Sequence, residues 1–209
     1  MSDYDLVIRG GTVVNAAEIS QCDVGVREGR IVALGEALGA GEREIDATGR
    51  FVMPGGVDSH CHIDQQSSTG GRNAESFESG TRSAACGGTT TVICFAAQEK
   101  GEDLMPIVRA YHERAKQSCI DYSFHLIISD PTDKVIYEDV PALIDEGHRS
   151  LKLFMTYPRN KLNDAEILRV LEVAKRKQAL VCVHAENHDA IMYMTAKLLQ
   201  AEKNSTKHH

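Results

Sequence analysis

PGGVDSHCH, residues 54–62, marks the point at which the pattern of the sequence changes. Before it, short runs of β-forming residues alternate with glycine-containing turns, which is typical of a small antiparallel module. After it, strand-like and helix-like segments alternate, which indicates parallel βαβ units. We therefore predict two domains, an incomplete β-sandwich-type module over 1–52 and the N-terminal portion of a barrel domain over 53–209.

Five strands are predicted in the second segment, near 57–62, 89–96, 122–129, 150–154 and 180–184. Helices are predicted near 74–86, 102–118, 135–146 (interrupted at Pro141), 164–177 (with Asn163 as N-cap) and 189–202. Ionisable residues at the C-terminal ends of the strands favour a TIM barrel over an open doubly wound sheet. The predicted class is α/β, a partial (β/α)8 barrel of about five βα units preceded by a small antiparallel β module.

The composition excludes several classes of function. The chain has 209 residues, of which 42% are hydrophobic and 25% charged, as in an ordinary globular protein. A net charge of −7 and an aromatic content of 5% argue against nucleic-acid binding. No apolar run reaches the roughly 18–20 residues that span a bilayer. The start lacks the features of a signal peptide and the cysteines are scattered, so we expect free thiols and a cytoplasmic location.

His60 and His62 give the strongest chemical signal in the sequence. Side chains alternate along a strand, so a strand over 57–62 would project both imidazoles toward one centre. Two imidazoles on a rigid strand form half of a site for Zn²⁺ or a similar cation. The alternative is a chance pair of histidines in a β segment. Their position at the mouth of the first barrel strand favours the metal site.

The stretch FVMPGGVDSHCH, residues 51–62, resembles the first metal motif of the amidohydrolase superfamily. Further motifs extend this resemblance over nearly the whole chain: FESGT (77–81), GGTTT (87–91), DPT (130–132), SLKLFMTY (150–157) and VHAEN (183–187). Together they resemble the hydantoinase and dihydropyrimidinase family. Lys152 followed by Tyr157 narrows the resemblance to the cyclic-amidase branch.

The resemblance implies a centre of two divalent metal ions. Zinc is expected first, with manganese or another divalent ion as the alternative. The implied metal-binding residues are His60, His62, Lys152 and His184, with Lys152 converted by CO₂ into a carbamate that bridges the ions. An unmodified ammonium could not bind a cation, and the other interpretation is a lysine that reaches the barrel mouth. Tyr157 is implied to hydrogen-bond the substrate and the developing oxyanion.

The implied reaction is hydrolysis of a cyclic ureide or imide, in which a hydantoin or dihydropyrimidine ring opens to an N-carbamoyl amino acid. The family also implies a homo-oligomer, a tetramer. A histidine on strand six and an aspartate on strand eight would lie beyond His209, so we expect a truncated chain with little activity of its own. Two alternatives remain: a dihydroorotase-like or allantoinase-like hydrolase, and a non-catalytic scaffold fragment.

Supporting roles are predicted for residues around this centre. Asp58 and Glu186 are expected to orient imidazoles. By resemblance, the loops Ile63–Arg72 and Met155–Lys161 flank the pocket. His125 is interpreted as a core residue or a support for the ligands, not as a ligand. His112 and His188 are interpreted as helix-surface residues and His148 as a loop residue.

Overall fold

The computed structural model describes residues 2–65 and 71–208. The chain divides into two compact units, Met1–Gly55 and Gly56–His209. Within the described residues, no helix is both long enough and apolar enough to cross a lipid bilayer.

The first unit is a five-stranded sheet of β1 (Tyr4–Val14), β2 (Ile19–Arg27), β3 (Arg30–Gly35), β4 (Gly41–Asp46) and β5 (Phe51–Val52). The pairs β1–β2 and β2–β3 are antiparallel, as the turn residues predict. Strands β4 and β5 instead run parallel to β1. The sheet is therefore mixed. After β3, which lies at one edge of the sheet, the chain crosses to the side of β1 that faces away from β2, where β4 and β5 each pair with β1.

The second unit contains a parallel sheet of β6 (Gly56–Asp58), β7 (Thr89–Ala97), β8 (Asp121–Ile127), β9 (Ser150–Phe154) and β10 (Leu180–His184). The spatial order of these strands is their order along the chain. A doubly wound sheet would reverse its strand order at a switch point, whereas successive neighbours are what a barrel requires. The predicted partial barrel is confirmed.

A helical segment follows each strand of this sheet: α1 (Phe77–Cys86), α2 (Leu104–Ala115), a π-helical turn (Val135–Asp139) that continues into α3 (Val140–Asp145), α4 (Asp164–Lys177) and α5 (His188–Gln200). A short 3-10 turn, Thr206–His208, comes last. The helix predicted near 135–146 with an interruption at Pro141 is instead continuous: it changes from π-helical to α-helical geometry at Val140, and Pro141 lies at the start of α3, where it is tolerated. The bounds of α4 and its N-cap, Asn163, are those predicted.

The core of the second unit lies between the helices and one face of the parallel sheet. Alternate strand residues are buried against the helices, among them Val92, Cys94, Ala96, Phe124, Leu126, Leu151 and Leu153. Side chains alternate along a strand, so the residues between these point to the other face. We call that face the inner face; its residues discussed below are Phe95, His125, Ser150, Lys152, Phe154 and His184.

Candidate metal and substrate site

His60 and His62 follow β6 instead of lying in it. The strand predicted over 57–62 ends at Asp58, so the argument from strand alternation was wrong. The cause is local, because Asp58 Oδ1 accepts a hydrogen bond from His60 N at 3.0 Å and favours a turn. The two rings nevertheless lie 5.5 Å apart, centre to centre. Both contact the ring of Phe95, at 4.7 and 4.8 Å.

The geometry of this histidine pair fits a shared divalent ion. Zn–N bonds of about 2.1 Å place the ring centres of two imidazoles on one tetrahedral ion about 5 Å apart. His62 Nδ1 donates to Gln65 Oε1 at 2.5 Å, which leaves the lone pair of the ring on Nε2. Burial lowers the pKa of His60, and the charge of Lys152 acts in the same direction, whereas Asp58 opposes it. The neutral ring that metal binding requires is therefore favoured.

Lys152, Tyr157 and His184 form a second group, around Phe154: Lys152 is the central residue of β9, Tyr157 follows that strand, and His184 ends β10. His184 is the strand partner of Phe154, and their ring centres are 5.7 Å apart. The Tyr157 ring lies 5.0 Å from that of His184. Lys152 Nζ lies 5.1 Å from the centre of the Phe154 ring. These side chains surround Phe154 as His60 and His62 surround Phe95.

The two residues predicted to orient imidazoles behave differently. Glu186 forms a hydrogen bond with His184 at Nε2, which leaves Nδ1 of that ring for a ligand bond. Asp58 contacts the backbone of His60 and not its ring. Asp58 therefore fixes the path of the chain, whereas Glu186 contacts the imidazole itself.

A cleft of about 720 Å³ lies beside these groups. Its lining residues are His62, Gln65, Ala97, Gln98, Glu99, Lys100, Ile127, Phe154, Tyr157, Pro158, Arg159 and Asn160. This volume suits a small molecule, and the lining combines apolar and hydrogen-bonding groups. Both loops predicted to flank the pocket contribute to it; of the loop Ile63–Arg72, residues 66–70 lie outside the described part of the chain.

Within residues 2–65 and 71–208, no three His, Cys, Asp or Glu side chains are grouped as a metal site. The predicted ligand set differs from such a group in two ways. It includes a lysine, and its histidines do not all lie together. His60 is close to His62, whereas His184 lies beside Phe154 and Tyr157. The donor types and the free ring nitrogens of this set fit divalent ions of the zinc type.

Two features of the structure were not predicted from the sequence: the position of Phe95 and the contacts of His112. Phe95 alternates with the buried Val92–Cys94–Ala96 side of β7, a period-two signal that could have placed it on the inner face. His112 is half-buried instead of lying on the helix surface, because its Nε2 lies 3.1 Å from Nε2 of the buried His148. A contact between two such distant residues has no local signal.

A family model, curated proteins and solved structures all match this chain. The family model described as the amidohydrolase family matches residues 51–208. The D-hydantoinase of Ralstonia pickettii is 42% identical over 207 residues, which cover 98% of this chain and 45% of that protein. A solved D-hydantoinase structure has a TM-score of 0.93 at 42% identity, over 98% of this chain and 45% of the other. The dihydropyrimidinase structure from Brevibacillus agri NCHU1002 has a TM-score of 0.88 at 41% identity, over 95% and 43%.

The chain thus spans 45% of the length of the Ralstonia relative, and the matched part includes both groups of site residues. Family model, relatives and superposed structures all agree with the sequence motifs. The chain belongs to the amidohydrolase family, and its resemblance to the hydantoinase and dihydropyrimidinase group within that family is confirmed.

Proposed function

We propose that this chain provides part of a two-metal centre that opens a cyclic amide ring by hydrolysis. The substrate is a hydantoin or a dihydropyrimidine, and the product is an N-carbamoyl amino acid. One observation supports the proposal above all: His60 with His62, and His184 with Tyr157, lie at the carboxyl ends of barrel strands beside a cleft of about 720 Å³. Catalytic groups of barrel enzymes occur at this end.

Each residue has a distinct role in this proposal. His60 and His62 would hold one divalent ion, His184 would hold the other, and Lys152, as its CO₂-derived carbamate, would be a ligand of both. Zinc is the expected metal. When bound, such ions polarise the carbonyl group that is attacked and activate water. The Tyr157 hydroxyl donates a hydrogen bond to the oxygen on which negative charge develops.

The reaction breaks a ring C–N bond and forms a C–O bond, while a proton moves to the leaving nitrogen. The five strands contain no residue that we assign to this proton transfer. The resemblance implies an aspartate on strand eight for that step, and the relatives are more than twice as long as this chain. The full reaction and the tetramer are therefore proposed for the whole protein. For the chain by itself we propose metal and ring binding with little turnover.

The metal centre is tested by measuring the Zn²⁺ and Co²⁺ content of the chain after incubation with bicarbonate. We expect bound metal in the unmodified chain and a large loss in His60→Ala and His184→Ala. His208→Ala, which changes a histidine outside the site, is the matched control. Equal metal content in all four proteins would overturn the assignment and favour a non-catalytic scaffold.

The role of Lys152 has its own readout. Labelled bicarbonate should give a carbamate signal in the carbon NMR spectrum of the metal-loaded chain. Lys152→Arg should remove the signal, since a guanidinium does not form this carbamate. Lys161→Arg, on the neighbouring loop, should retain it. A signal that persists in Lys152→Arg places the carbamate elsewhere.

The choice of ring is tested by calorimetric binding of hydantoin, dihydrouracil, dihydroorotate and allantoin to the metal-loaded chain. We expect the first two to bind and Tyr157→Phe to weaken their binding. Binding restricted to dihydroorotate or allantoin would replace the proposed substrate with the alternative cyclic ureides.

A further inference from the structure

His125 lies on the inner face of β8 and is buried, with 9% of its surface exposed. Both of its ring nitrogens have partners. Nε2 lies 2.9 Å from the carbonyl oxygen of Ser59, and Nδ1 lies 2.6 Å from the hydroxyl of Ser150 at the start of β9. The imidazole therefore connects β9 to the segment that follows β6.

The partners fix the direction of these hydrogen bonds. A carbonyl oxygen only accepts, so Nε2 of His125 carries the hydrogen and donates it to Ser59. In the neutral ring Nδ1 then accepts from the Ser150 hydroxyl. Because both nitrogens are engaged, His125 has no lone pair available for a metal ion.

Ser59 directly precedes His60. The residues that follow have their own contacts, because Asp58 accepts from His60 N, the Cys61 thiol contacts that of Cys94, and Asn73 donates to the His62 carbonyl. The Ser59 carbonyl is held by His125. Beyond the end of β6, the ladder to β7 continues only through the long Cys61 N to Ile93 O contact of 3.4 Å among the backbone bonds described. Phe95 also contacts the segment that carries the two histidines. Its ring packs against those of His60, His62 and His125, the last at 4.9 Å. His125 thus contacts both the backbone before His60 and the Phe95 ring, which packs against the histidine pair.

We propose that His125 is a positioning residue, whose hydrogen bond to the Ser59 carbonyl fixes His60 and His62 in their metal-binding orientation. This inference rests on the metal centre of the proposed function. Groups that orient metal ligands typically contribute about 10–100-fold to metal affinity. His125 acts on the ligands through their backbone, one residue away from the imidazoles themselves.

The test compares His125→Leu with His125→Gln in the full chain, using Co²⁺ alone as the probe. The glutamine amide can still donate to the Ser59 carbonyl from a similar place, whereas leucine cannot. We expect His125→Leu to lower the affinity for Co²⁺ by at least about tenfold and to change its visible spectrum. His125→Gln should restore most of both. His148→Leu, which removes a histidine buried to the same degree, should leave both unchanged.

A second readout needs no metal. Cys61 lies between the two histidines, so a looser segment should expose its thiol. Alkylation by iodoacetamide, followed residue by residue with mass spectrometry, should be faster at Cys61 in His125→Leu than in the unmodified chain. The exposed Cys86 serves as the internal reference. If His125→Leu does not fold, Ser150→Ala removes the hydroxyl that engages Nδ1 and should produce the same changes to a smaller extent.

The outcomes separate the two proposals. If the unmodified chain binds no Co²⁺, the proposed metal centre fails, and this inference fails with it. If the unmodified chain binds Co²⁺ and both His125→Leu and Ser150→Ala match it in affinity, spectrum and Cys61 reactivity, only the role of His125 is overturned. Failure of His125→Gln to restore binding would likewise contradict a role that depends on donation to Ser59.

Discussion

At the start of α4, Asn163 and Glu166 exchange hydrogen bonds with each other's backbone. Asn163 Oδ1 accepts from Glu166 N at 2.9 Å, and Glu166 Oε2 accepts from Asn163 N at 2.7 Å. Two N–H groups that the first helical turn leaves without partners are satisfied in this way. The cap also fixes where the chain leaves the loop that carries Tyr157.

We expect Asn163→Ala to lower the free energy of unfolding by about 1 kcal/mol, because one N–H group of the first turn loses its acceptor. Urea unfolding followed by circular dichroism measures the change. The control is Asn204→Ala, at an exposed position outside the helices, which should leave the midpoint nearly unchanged. A similar shift in both variants would contradict the capping role.

A second residue-scale effect concerns the His112–His148 pair. Burial lowers the pKa of both rings; the positive charge of Arg109 acts in the same direction, whereas Glu146 opposes it. A Tyr122 hydroxyl lies 3.4 Å from His112 Nδ1, and the charge of Glu113, like that of Glu146, raises the pKa of His112. The folded protein therefore favours the neutral form of both rings, and protons bind them more readily once the chain unfolds.

The sign of the pH dependence follows from these lowered pKa values. An unfolded histidine titrates near pH 6.5, so the stabilisation is fully present above about that pH and is lost as the pH falls below it. His148→Gln keeps an amide donor but takes up no proton, so it should lose less stability than the unmodified chain between about pH 7.5 and pH 5.5. Urea unfolding at both values measures this. Equal losses in both proteins would contradict it; His208→Gln, which lies outside the pair, is the control.

At the scale of elements, the strands divide their residues between two roles. Leu151 and Leu153 of β9 are fully buried against the helices, whereas Lys152 between them lies on the inner face. Packing and chemistry therefore depend on alternate positions of one short strand. The same division holds in β7 and β8.

We expect Leu153→Ala to lower the free energy of unfolding by about 2–5 kcal/mol, since it leaves a cavity in a core that cannot fully collapse. Leu168→Ala, at a leucine of α4 that is 64% exposed, should change it by less than about 0.5 kcal/mol. Urea unfolding of both variants gives the comparison. Nearly equal effects would mean that β9 does not pack as described.

The elements themselves could be predicted because their signals are local. Asn163 marks the start of α4, Gly87 and Gly88 mark the end of α1, and Pro141 lies at the start of α3. The arrangement of the site residues could be predicted less well from the sequence. The turn at Asp58, the ring of Phe95 under the histidines and the partners of His125 all depend on neighbouring strands. Such contacts leave no pattern in a single stretch of sequence.

At the scale of the molecule, the second unit carries apolar side chains at one side that the described residues do not cover. Strand β10 is an edge strand, and its Leu180 is 62% exposed. No residue of α5 is buried within the described part of the chain, and Met192, Tyr193 and Leu199 are among its exposed residues. Open strand edges and apolar patches of this kind favour association.

We therefore expect the chain to self-associate as its concentration rises, which sedimentation velocity would detect. Leu180→Lys combined with Met192→Lys should shift the distribution toward the monomer, because charge at an edge opposes strand pairing. Leu168→Lys, which charges an equally exposed leucine on α4, should have little effect. A monomer at all concentrations, or an equal response to the control, would refute this expectation.

The division of β9 into alternate roles has one more consequence. Inserting or deleting a single residue in this strand would carry Lys152 into the packed interior and bring Leu153 out beside the cleft, so that stability and chemistry would fail together. An exchange of one amino acid for another alters only one of them. Over evolutionary time, the length of such a strand should therefore vary far less than its composition.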